Sequence, residues 1–79
     1  MSQVVDIKGR VLNRDDKVAF VHNNATHVGK LDYNLKPYKE QMFDDDLMFN
    51  NVEFLNFIEP KASFEEIREK IEELTLYLK

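Results

Sequence analysis

Two histidines, His22 and His27, flank four residues in a polar stretch, His22-Asn23-Asn24-Ala25-Thr26-His27. Across a hairpin they could face each other and hold a metal. Zinc asks for three or four ligands in fixed geometry, and with no cysteine in the chain a third ligand has no obvious place. A solvated loop pair is the expectation, with His22 able to cap a core edge because it alternates with Val18 and Phe20. The acidic triplet Asp44-Asp45-Asp46 raises calcium. A helix–loop–helix calcium site needs alternating oxygen ligands, a central glycine and a closing glutamate. Here Met48 falls at a ligand position and glycine is missing. The triplet reads as a solvated acidic turn or as an acidic contact for a basic partner.

Nucleophilic catalysis needs a hydroxyl beside a positioned base. Ser2, Thr26, Ser63 and Thr75 are the hydroxyls available. Ser63 is better explained as a helix cap, and Thr26 beside His27 is a thin signal. With Gly9 and Gly29 the only glycines, no phosphate-cradling loop can form. Asn24-Ala25-Thr26 matches a glycosylation acceptor, which has no meaning without a secretory signal. The opening residues lack such a signal, and no apolar run approaches the ~18 residues of a membrane span. The expectation is therefore a cytoplasmic, non-enzymatic chain without cofactor or metal.

The elements that must position these residues follow from periodicity. The chain has 79 residues, 43% of them hydrophobic and 33% charged, which suits one globular domain. Residues 1–59 read as strand-rich. Val4, Val5 and Ile7 lead to a turn at Gly9, followed by Val11 and Leu12. Asn13-Arg14-Asp15-Asp16 is a polar turn. Lys17 to Val21 is a strand by its β-branched and aromatic content, with Val18 and Phe20 on one face and Lys17, Ala19 and Val21 on the other. Val28 to Tyr33 returns, and Gly29 within it marks a bulge or a close backbone approach. Pro37 argues against a central strand at that point. Val52 to Ile58 carries apolar residues on both faces and reads as an interior strand ended by Pro60.

The C-terminal helix, 63–79, is the clearest element. Ser63 and Glu66 form a capping box. Phe64, Ile67, Ile71, Leu74 and Leu78 make one apolar stripe about 80° wide at 100° per residue. Glu65, Glu66, Glu69, Glu72 and Glu73 take the other side, with Arg68–Glu72 and Glu66–Lys70 spaced for ion pairs. Leu76 lies among the glutamates, an apolar residue on the acidic side.

The formal charge of −4 is uneven. Residues 1–30 carry five bases and three acids, and residues 31–79 carry six bases and twelve acids. An acidic surface of this kind repels phosphate and speeds encounter with basic partners. Direct nucleic-acid binding is not expected. Were it to occur, Lys8, Arg10, Arg14, Lys17 and Lys30 would carry it.

The run Asp6-x-x-Gly9-x-x-Leu12-x-x-x-Asp16-x-Val18-Ala19-Phe20-Val21, with Val28-Gly29-Lys30-Leu31 after it, resembles the opening of small Src-homology-3-like β-barrel modules, in versions seen in short accessory proteins of tailed phages. Asp15 stands where that pattern usually has glycine. The resemblance covers residues 4–33 and implies a small curved sheet used for binding, with a host protein as partner.

The expected architecture is a single α+β domain: four or five mostly antiparallel strands in a bent, barrel-like sheet, with the helix packed on one face. The expected function is binding a basic surface on a protein partner, as a monomer or homodimer. The polar contacts assigned to it are Asp44, Asp45, Asp46, Glu65, Glu69, Glu72 and Glu73, with Phe49 and Leu76 as apolar anchors. Two rivals are a nucleic-acid-associated barrel and a self-assembling structural protein that pairs through its helix.

Overall fold

The computed structural model describes residues 3–41, 43 and 45–78. Five strands, β1 (Lys17–His22), β2 (Ala25–Leu31), β3 (Pro37–Lys39), β4 (Leu47–Met48) and β5 (Leu55–Ile58), form one antiparallel sheet in the order β4-β3-β2-β1-β5. Helix α1 (Phe64–Thr75) follows and tightens into a 3₁₀ turn over Leu76–Leu78. The fold is α+β. Its sheet is open, with β4 and β5 as its two edges.

β1 is the centre of the molecule because both of its faces are apolar. Val18 and Phe20 point into one core with Leu12, Leu31 and Phe49. Ala19 and Val21 point into a second core with Ile58 and Leu74, closed over by Ile67, Ile71, Val28 and Leu78. Full burial of side chains this size contributes about 1.5–3 kcal/mol each. The β1–β2 hairpin turns on Asn23 and Asn24, both left-handed (φ 51° and 62°), the two-residue geometry that matches strand twist. This tight turn starts β2 at Ala25, three residues before the hydrophobic pattern does.

Gly29 is a close approach, as expected: a Cβ there would collide with the Tyr38 carbonyl oxygen. Asp15 has φ 70°, a conformation glycine takes freely and aspartate tolerates. The expectation that Pro37 argues against a central strand is corrected: β3 lies between β2 and β4, and Pro37 is accommodated as its first residue, where a missing N–H is least costly. Leu35 also takes a left-handed φ of 60°, held by Asp32, whose Oδ1 accepts the N–H groups of Asn34 (2.9 Å) and Lys36 (2.8 Å).

Three further expectations need correction. The early valines make no strand beyond a single bridge, Val5 to Val11. β5 is an edge strand, although both its faces are covered. The helix stripe begins at Ile67, because Phe64 is the first helical residue, overhangs the sheet and is 89% exposed.

The β5 edge is closed by the N-terminal arm. Ile7 N–H donates to the Leu55 carbonyl (2.8 Å), and Phe57 N–H donates to Asp6 Oδ2 (3.2 Å). Asp6 Oδ1 also accepts from the backbone of Lys8 (3.0 Å) and Arg10 (2.9 Å), and Arg10 Nε lies 3.3 Å from Oδ2. Burial opposes ionisation of Asp6, but these donors outweigh it and hold its carboxyl below the ordinary value.

Candidate functional site

α1 is positioned by its cap and its apolar face. Ser63 Oγ accepts the Glu66 N–H (3.2 Å) and its hydroxyl donates to Glu66 Oε1 (3.4 Å), satisfying an otherwise unpaired donor of the first turn. Ile67, Ile71 and Leu74 seat the helix over β1 and β5. The opposite face then looks into solvent. Glu65, Glu69, Glu72 and Leu76 fall within about 60° of one another around the axis and form one ridge. All four are exposed, Leu76 by 69%. Among the described residues Glu65, Glu69 and Glu72 take part in no ion pair. Arg68 does not reach Glu72, and Lys70 turns to Glu73 (3.8 Å) instead of Glu66.

Glu73 differs from its neighbours. It is half-buried and meets Lys8 Nζ at 3.0 Å. It also accepts from Asn56 Nδ2 at 3.5 Å, and Asn56 donates in addition to the Lys70 carbonyl at 2.9 Å. The Lys8 contact and the Lys70 charge, working against partial burial, hold its carboxyl below the usual range. Its role as a partner contact is corrected: Glu73 ties the helix to the sheet and to the N-terminal arm.

Phe49 is corrected as well. It is 6% exposed, and its ring packs against Phe20 (4.8 Å between centroids), His22 (5.0 Å) and His27 (5.0 Å). It is a core residue. Of the acidic turn, Asp44 lies outside the described residues. Asp45 and Asp46 are exposed beside β4, and Asp46 borders a groove with Arg14, Tyr33 and Met48. The helix covers the β5 side of the sheet, so the turn and the ridge lie towards opposite edges and do not form one surface.

His22 and His27 share a face, with ring centroids 6.4 Å apart. Lys39 Nζ donates to His27 Nδ1 at 2.9 Å. Burial, then Lys39, then His22 push the His27 pKa below its ordinary value. Among the described residues no group of three or more His, Asp or Glu side chains is placed to hold a metal. No helix there is long and apolar enough to cross a membrane. The basic set is dispersed: Lys8 is bound to Glu73, Arg10 stacks over Phe57 (5.3 Å) beside Asp6, and Arg14 lies 3.9 Å from Asp15. Lys17 and Lys30 face each other across β1 and β2.

No family model, no curated protein and no solved structure matches the chain.

Proposed function

We propose that this chain is a non-enzymatic protein-binding module whose recognition element is the solvent face of α1. The observation that carries this reading is the unpaired line Glu65, Glu69 and Glu72 ending on the exposed Leu76. Like charges three and four residues apart weaken a helix, by about 0.2–0.5 kcal/mol for each pair. A basic strip on a partner would remove that repulsion, and an apolar pocket would take Leu76. Charge sets encounter rate and register, while the leucine supplies the desolvated contact. The scaffold is read as a small bent, barrel-like sheet of the Src-homology-3-like kind. The setting that this resemblance implies is a phage-encoded accessory protein that engages and modulates a host protein in the cytoplasm.

The test is affinity capture from cells that naturally contain the protein, with wild type, Glu69→Lys/Glu72→Lys and Leu76→Asp compared as bait. Both variants are expected to keep the fold by circular dichroism and to lose the partner. Undiminished capture by both folded variants would sink the reading.

A further inference from the structure

The half of the sheet beyond α1 carries a row of side chains that crosses four strands. Lys17 on β1 faces Lys30 on β2, Lys30 faces Tyr38 on β3, and Tyr38 faces Met48 on β4. Facing residues of antiparallel strands share a side of the sheet. Lys17 also faces Ile58, which packs under the helix. The row therefore looks out on the helix side. An open groove runs along it, lined by Lys17, Val28, Lys30, Tyr38 and Glu40, and a second groove continues past Tyr38 to Met48.

Two lysines directly opposite each other repel and weaken the pairing they sit in. Among the described residues Lys17 forms no ion pair, and Lys30 has only an exposed contact of 3.7 Å with Glu40. An anionic surface laid across both ammonium groups would relieve this.

We propose that the occupant is a second copy of the chain: the ridge Glu65–Glu69–Glu72–Leu76 of one protomer lies on the Lys17–Lys30–Tyr38–Met48 row of its partner, and reciprocally. The inference rests on the reading of α1 as the recognition element and gives that element a second occupant beside a host protein, a copy of the chain itself. The order of chemistry agrees, with acids then an apolar residue on the ridge, and bases then apolar residues on the row. The spacing agrees too. Glu69 and Glu72 are about 4.5 Å apart along the helix axis, and facing residues on paired strands are about 4.5–5.5 Å apart. Asp15, Asp32 and Asp46, against the cation Arg14, line the Tyr38–Met48 end, and Asp15 and Asp16 also border Lys17 and Lys30. The order of chemistry sets the direction: Leu76 goes over Tyr38 and Met48, and the glutamates go to the lysines. Ridge and row look out from the same side of the sheet, so one two-fold axis satisfies both contacts and closes the assembly.

The experiment is sedimentation of charge-reversed chains. Wild type is expected to reach twice the 9.4 kDa chain mass as concentration rises in low salt, and to dissociate as salt is added. Lys17→Glu/Lys30→Glu alone and Glu69→Lys/Glu72→Lys alone are expected to be monomers. Their equimolar mixture is expected to regain the dimer, because each ridge then meets a row of opposite charge. Lys17→Gln/Lys30→Gln, which removes a repulsion within the sheet and so leaves the fold intact, is expected to raise the dissociation constant about tenfold or more. A wild type that stays monomeric into the millimolar range overturns the proposal, as does a mixture of folded variants that stays monomeric. A dimer lost in the ridge variant but kept in both Lys17/Lys30 variants overturns the row as its seat, and leaves the ridge as a recognition element for the capture experiment to judge.

Discussion

Two sets of acids in this molecule have the same chemistry and opposite surroundings. Asp6 and Glu73 are surrounded by donors: three backbone N–H groups and Arg10 for the first, Lys8, Lys70 and Asn56 for the second. Glu65, Glu69 and Glu72 stand in solvent without an ionic partner among the described residues. Both members of the first set bind the N-terminal arm, one to the β5 edge and one to the helix. The acidic excess of the chain is thus divided. One part ties the arm, the sheet and the helix together, and the other is left on a ridge where Glu69 and Glu72 have no ionic partner among the described residues and only Glu65, in the first turn, is favoured by the helix dipole. Under the proposed function, bases on a partner relieve the repulsion along that ridge.

Substitutions can break this contrast or sharpen it. The largest effect is expected from Asp6→Ala, which strands three part-buried donors, leaves Arg10 without its partner and loosens the β5 edge. A loss of about 3–5 kcal/mol in urea unfolding is predicted. Acid should act on the same group. The Asp6 carboxyl is held below 3.8, so its stabilisation is complete above that value and disappears as pH falls through the folded-state pKa. The urea midpoint should drop on acidification, and drop less in the Asp6→Ala chain.

His27 gives a second, milder dependence. Its folded pKa lies below 6.5, so the unfolded chain takes up the proton first. Stability is complete above 6.5 and declines as pH falls through that value. Thermal melts of wild type and His27→Gln should differ in slope across this window, with the variant flatter.

Glu73→Gln comes next, at about 0.5 kcal/mol, because its partners are partly exposed. Smallest of all are the single changes Glu65→Gln, Glu69→Gln and Glu72→Gln. Each should stay within about 0.5 kcal/mol; Glu69→Gln and Glu72→Gln lean towards greater stability as like-charge repulsion is relieved, and Glu65→Gln towards lower stability, because it removes an acid from the first turn of the helix. Equal destabilisation by Glu73→Gln and Glu69→Gln would erase the contrast.

What was legible in the sequence was local. β-Branched and aromatic content placed β1, Ser63 and Glu66 placed the helix start, and the isolated Gly29 marked a close approach. The ridge itself was legible, since helical spacing alone puts Leu76 among the glutamates. What escaped was set by distance along the chain. Asp6 meets Phe57 across 51 positions, and nothing near Asp6 signals that contact. Glu73 looks like every other glutamate on α1 until Lys8 and Asn56 are folded beside it. The two phenylalanines exchanged places for a related reason. Phe64 fits the helical stripe but sits before the helix reaches the sheet, whereas Phe49 follows an acidic turn and is drawn into the core by Phe20 and the two histidines. The acidic turn and the acidic helix were grouped by charge, and only the strand order separates them.

The central claim is that the α1 ridge serves recognition and not folding. It is tested most directly by one chain, Glu69→Gln/Glu72→Gln, measured for melting temperature and for partner capture on the same preparation. The expected result is a melting temperature equal to or above that of wild type, together with lost capture. A chain that melts lower and still captures its partner would contradict it.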